Sequence, residues 1–128
     1  MSERTAKIVI IAGVTLLLLM AGLHISGVGL VTDRMAQSDA PDFLKSIFPV
    51  LFISASLQLV ALAAFGGAAL KYPVARRGLS SLVALFALIN AGFALFLAHW
   101  VPAGILGLAT VCFSLVALKG QSSPDTEP

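Results

Sequence analysis

This sequence carries little charge. Its 128 residues include eight Lys and Arg and six Asp and Glu, 11% in all. A soluble domain carries about 25%, so this chain cannot cover a water-facing surface. The net charge of +2 is small and scattered, which excludes the dense basic footprint that nucleic acid binding requires. Cysteine is nearly absent: Cys112 stands alone, which excludes an intramolecular disulfide and a cysteine-based zinc site. Acid is missing from the apolar runs as well. No carboxylate lies between Lys7 and Val31 or deep in any later run, and proton-coupled pumps generally depend on one.

What is there is apolar length. The chain is 59% hydrophobic, with a mean hydropathy of +1.01. A helix crosses a bilayer with about 20 mostly apolar residues, because the hydrocarbon core is about 30 Å thick and each residue adds 1.5 Å. The stretch Ser80 to Trp100 (SSLVALFALINAGFALFLAHW) meets this length while carrying Asn90 near its middle. Three more runs resemble it. The expected fold is an all-α integral membrane protein, an antiparallel four-transmembrane-helix bundle in one domain over 1–120. The spans fall at about 8–31, 46–70, 79–99 and 102–118, and a disordered polar tail follows at 121–128. The first run opens like a signal peptide, with a positive flank and a leucine-rich core. It runs too long and lacks a clean small-residue cleavage site, so a retained helix is expected. Pro49 is expected in the first turn of the second span, where a missing N–H does no harm.

Orientation is read from Lys and Arg near the span ends. Arg4, Lys7, Lys71, Arg76, Arg77 and Lys119 fall on one side; Arg34 and Lys45 fall on the other, among Asp33, Asp39 and Asp42. Both termini are therefore expected in the cytoplasm. Ala/Leu/Gly-rich spans and tight loops point to a bacterial inner membrane.

Helical spacing assigns faces. On the third span Ala87, Ala91, Ala94 and Ala98 form one stripe, and Phe86, Phe93, Phe96 and Trp100 another. In lipid, helices associate through small residues that allow close approach. The alanines are expected inward, and the aromatics toward lipid, a partner protein or a second copy. On the fourth span the small stripe is Ala103, Gly107, Thr110, Ser114 and Ala117. On the second, Ser54 and Gln58 share a face; on the first, Gly13, Met20, His24, Gly27 and Val31 do.

Counting from the outer span ends, His24 lies at roughly 10 Å, Ser54 at 12 Å, Thr110 at 14 Å, Asn90 at 15 Å and Gln58 at 18 Å. Those five residues form a candidate polar pocket, with Asp33 and His99 at its mouth. The plainer reading is helix glue. Ser and Thr in membrane helices usually bond back to their own carbonyls, and Asn90 and Gln58 could bond each other. His24 is the candidate catalytic residue, since an ionisable group within a span is a functional hypothesis by default. Two histidines do not by themselves specify a metal site, and nothing names a cofactor.

Three functions are compatible with this pattern. The leading one is a structural or accessory subunit of a membrane complex, docked through Phe86, Phe93 and Phe96. The alternative is a small membrane enzyme or a lipophile- or quinone-binding protein built around His24. The third is a transporter or channel. Size and span number resemble the small multidrug-resistance transporters, but those depend on an acidic residue in the first span, which this chain lacks. In span number and length the chain also resembles the DoxX-like group of small bacterial membrane proteins, a likeness of architecture that carries no residue role. The topology makes a direct prediction. Cysteines introduced by Ser38→Cys and Ser122→Cys label from opposite faces of intact membranes; labelling from the same face refutes it.

Overall fold

The structure is a computed structural model that describes residues 1–119; the tail expected at 121–128 lies outside them. The described residues fold into five α-helices and contain no strand: α1 Glu3–Ser26, α2 Val28–Ala36, α3 Asp42–Lys71, α4 Arg76–Phe96 and α5 Trp100–Lys119, with a 3-10 turn at Pro73–Ala75. Four helical segments are long and apolar enough to cross a membrane, Glu3–Ala36, Asp42–Lys71, Pro73–Phe96 and Trp100–Lys119. This is an all-helical, membrane-embedded architecture.

Local chemistry sets the helix ends. Ser2 caps α1, its side chain accepting from the Thr5 N–H at 3.1 Å, which satisfies one of the free amides of the first turn. Helix α1 therefore starts five residues before the apolar run. Gly27 interrupts the helix, and α2 continues beyond it. Pro41 precedes the first residue of α3, a position it suits because it needs no donor. Helix α3 thus begins earlier than the expected span, and Pro49 lies inside it, where the Lys45 carbonyl loses the donor that residue 49 would supply.

The four long helices close a ring in which α1 packs on α3 and α5, and α4 packs on the same two. Three contacts show which ends coincide. The Met1 amino group lies 3.4 Å from the Lys119 carbonyl. Arg76 grips the Glu3 carboxylate with both terminal nitrogens, and its Nε donates to the Ala69 carbonyl at 3.0 Å. The start of α1, the end of α3, the start of α4 and the end of α5 thus share one end, and neighbours run antiparallel. Arg76 is only 8% exposed. Its contact with Ala69 has a specific cause: the residue four beyond Ala69 is Pro73, which has no N–H to give. The guanidinium supplies the missing donor and ties three helix ends together.

The core centres on Phe113. Its ring is fully buried and lies against two glycines. A methyl group at Gly13 would fall 2.7 Å from Phe113 Cε2, and one at Gly66 would fall 2.6 Å from Cζ. Because the ring is clamped from both sides, it cannot yield to one without pressing on the other. This seat rotates α5. The expected small stripe of α5 is only partly inward, with Ala103 and Ala117 buried, and the contact face runs through Leu106, Ala109, Phe113 and Val116. On α4, Ala87 and Ala91 of the alanine stripe are buried, in line with Ser80 and Ala84, whereas Ala94 is half-buried and Ala98, expected inward, is exposed because the helix ends before it. Phe93, Phe96 and Trp100 are widely exposed, and Phe86 is partly so.

The second span departs from expectation. Ser54 and Gln58 are on the outer face, whereas α3 buries Ser56, Leu59, Leu62, Ala63, Gly66 and Ala69. Residues 54 and 58 flank Ser56 by two positions, so each is turned about 160° from it. Depth along a span says nothing about that angle. The polar layer expected from depth and helical spacing therefore does not assemble on α3, because the shared face of Ser54 and Gln58 is turned outward.

Helix lengths are unequal, and the difference positions the site. Glu3–Ala36 spans 34 residues and α3 spans 30, against 24 for Pro73–Phe96 and 20 for α5. At 1.5 Å per residue the first pair is roughly 45–50 Å long and the second about 30–36 Å. Helix α2 packs on α3, and neither α2 nor α3 up to Ala55 buries any residue. Beyond the α4–α5 turn, α1–α2 and α3 therefore run on alone and leave a recess over that turn.

The Phe113 seat is testable. Phe113→Ala should cost about 3–5 kcal/mol through the cavity it leaves, and Gly66→Ala should destabilise by overpacking, about 1–3 kcal/mol. Combining Gly66→Ala with Phe113→Leu should cost less than the sum of the two single changes. Reversible unfolding in detergent measures all four; strict additivity would show that the ring and the glycine do not share the space.

Candidate functional site

The recess begins where α4 stops. Leu97 and Ala98 turn the chain, and Ala98 is the one non-glycine residue with positive φ (57°) among the described residues. Its N–H donates to the Leu95 carbonyl at 2.9 Å, while the His99 N–H reaches the Ala94 carbonyl at 2.8 Å. This is the Schellman arrangement, with alanine where glycine is usual. The His99 carbonyl then accepts from the Ala103 N–H at 3.1 Å, starting α5. His99 is fixed between two helices by backbone bonds on both sides.

Around it, four helices and the turn line a cavity of about 230 Å³. Met20 and His24 come from α1, Ala55 and Leu59 from α3, Asn90 and Phe93 from α4, His99 from the turn, and Pro102 and Leu106 from α5. Two adjoining clefts share both histidines, one walled by Val31 and Phe52, the other by Phe48 and Leu51. The walls are apolar, and the polar groups are the two imidazoles and one amide. Such a composition suits a lipophilic molecule with a small polar head.

His24 is the most constrained of the three. Its Nδ1 lies 3.1 Å from Ser56 Oγ, and its ring stacks on Phe52 with centroids 3.9 Å apart. Asn90 Nδ2 donates to the Phe86 carbonyl at 2.8 Å, one turn back on its own helix. The structure thus brings His24, Asn90 and His99 together. It leaves out Ser54, which bonds the Val50 carbonyl on the outer face, and Thr110, which bonds Leu106 on α5. Gln58 lines a separate shallow groove with Phe65 and Phe86. Asp33 is exposed on α2 and lines none of the three clefts that His24 lines.

Ser56 and Phe52, which hold the His24 ring, are not among the residues expected from the sequence. Their signal in the sequence is the repeat of Ser56, Ala63 and Gly66 at helical spacing, which marks the packed face of α3.

A serine beside a histidine invites a hydrolase reading, and the geometry rejects it. Ser56 is fully buried, so its oxygen cannot reach a substrate carbonyl. Among the described residues no carboxylate bonds the imidazole, so the third group that commonly orients a catalytic base is missing there. Among the described residues no group of three or more His, Cys, Asp or Glu could hold a metal ion. What the arrangement supplies is hydrogen-bonding groups set in apolar walls. Compared with known protein families, with curated proteins and with solved structures, the chain matches none.

The strained turn yields a prediction. A non-glycine residue in the left-handed region costs about 1 kcal/mol. Ala98→Gly should therefore raise unfolding stability by up to about 1 kcal/mol, and Ala98→Val should lower it. A loss of stability in Ala98→Gly, read by thermal unfolding in detergent, would remove this account of the turn.

Proposed function

We propose that this chain is a small membrane-embedded binding protein that holds a lipophilic molecule in the cavity between its helices, with the head group at His24. The observation that carries the reading is convergence. Three polar side chains from separate elements, His24, Asn90 and His99, line one apolar cavity, although the chain has only two histidines. The recess left by the short α4–α5 hairpin gives a lipophile a way in from the side.

The Lys and Arg asymmetry supports an orientation with both termini in the cytoplasm and the His24 cavity toward the outer face. The composition of the spans favours a bacterial inner membrane. Six basic residues belong to the Arg76 end of the bundle, where Arg76 itself is spent on Glu3 and Ala69. That leaves Arg4, Lys7, Lys71, Arg77 and Lys119, still the larger set.

The subunit reading has no observation of its own. Phe93 and Phe96 are exposed, but so are Ile8 and Leu18 on α1, Leu51 and Leu57 on α3, and Leu108 and Val111 on α5. Lipid contact requires apolar side chains all round, so the aromatic stripe is not distinguished from the rest of the surface.

Native mass spectrometry of protein extracted gently from its own membrane separates the two readings. Wild type should carry a small molecule that His24→Ala loses. A wild-type protein without a small molecule but with a stable protein partner would overturn the binding reading.

A further inference from the structure

The hydrogen bonds around His24 determine which kind of head group the cavity accepts. Ser56 has one hydroxyl proton and is fully buried. Its oxygen lies 3.4 Å from the Phe52 carbonyl and 3.1 Å from His24 Nδ1. With the proton directed to the carbonyl one turn back, as serines in membrane helices do, the oxygen is left to accept from Nδ1–H. Both contacts are then hydrogen bonds. The reverse arrangement, with serine donating to Nδ1, keeps one bond and loses the other. A neutral imidazole carries a single proton, so the two-bond arrangement makes Nε2 a bare acceptor. Ser56 occupies the Nδ1 edge and Phe52 covers one ring face. The Nε2 edge is what the ring has left to offer the cavity.

Asn90 points the same way. One N–H of its amide is given to the Phe86 carbonyl, which fixes the amide with its oxygen facing elsewhere as an acceptor. The cavity that both residues line thus offers acceptors at His24 Nε2 and Asn90 Oδ1, while the second Asn90 N–H and a ring N–H of His99 are donors that a hydroxyl oxygen can also use.

We infer that this cavity selects hydroxyl-bearing lipophiles, molecules whose head group donates a hydrogen bond to His24 Nε2, and that Ser56 is a positioning residue that holds the imidazole in the accepting tautomer. The inference rests on the binding reading above and adds the polarity of its recognition step. At His24 Nε2 a carbonyl- or ether-headed lipophile of the same shape brings a lone pair against a lone pair and binds more weakly than the hydroxyl, as a polar site discriminates against an analogue lacking the proton it is built to accept.

The test uses para-decylphenol and para-decylanisole, which share ring and tail and differ in whether the oxygen carries a proton. Binding is measured to the purified full chain in detergent. Wild type should bind the phenol about ten-fold tighter than the anisole. His24→Ala should abolish that preference. Ser56→Ala should narrow it to about three-fold or less, because the tautomer is no longer held. Nitrogen-15 chemical shifts of His24 in the free wild-type protein should report Nδ1 protonated and Nε2 bare, a readout that needs no variant to fold. Equal binding of the two probes by wild type, or a protonated Nε2 in the free protein, overturns the inference and leaves the binding reading standing. Binding of neither probe overturns both.

Discussion

Phe113 sits at the centre of the bundle because Gly13 and Gly66 leave it room, and the close approach of α5 to α1, and of its ring to α3, depends on that seat. In a bilayer, helices gain nothing from hiding apolar surface, since lipid is as apolar as leucine. Dispersion between closely fitted surfaces has to hold them together, and it fades quickly with separation. An aromatic ring on α5 held between glycines on α1 and α3 therefore does what a hydrophobic core does in water. It also sets the rotation of α5, which brings Leu106 and Ala109 inward and leaves Thr110 at the flank.

The two ends of the bundle are built differently. At one, a buried arginine links the start of α4 to Glu3 and to the Ala69 carbonyl that Pro73 leaves without a partner. Arg76 thus has a structural task beyond its place in the charge asymmetry. At the other end the helices differ in length, no such staple occurs among the described residues, and an apolar cavity opens beside a turn held in a strained conformation at Ala98. Strain and open volume occur together at this end. That combination is common where a protein keeps a site available.

None of the His24-lined clefts includes Asp, Glu, Lys or Arg. On the binding reading proposed above, recognition therefore falls to hydrogen-bond polarity. Ser56, too deeply buried to react, is placed to set that polarity through the imidazole tautomer. Two carbonyls one turn back on their own helices, Phe52 for Ser56 and Phe86 for Asn90, do the orienting.

The sequence by itself determined the number of long helices, their apolar lengths and the grouping of Ala87 and Ala91 on one stripe of α4. Those follow from rules local to one segment: a backbone in lipid must satisfy its own hydrogen bonds, and small residues repeat at helical spacing. Of the seven residues the sequence singled out, His24, Asn90 and His99 line one cavity. What only the tertiary structure decided was how each helix is turned about its axis. Ser54 and Gln58 have suitable depth and the wrong angle, while Ser56, two positions away, has the right one. That angle depends on which residues across the interface are small enough to permit close approach, so it is a property of pairs of helices. The seat of Phe113, the partner of Arg76 and the polarity of the imidazole edge all depend on such pairs, and no single span contains that information.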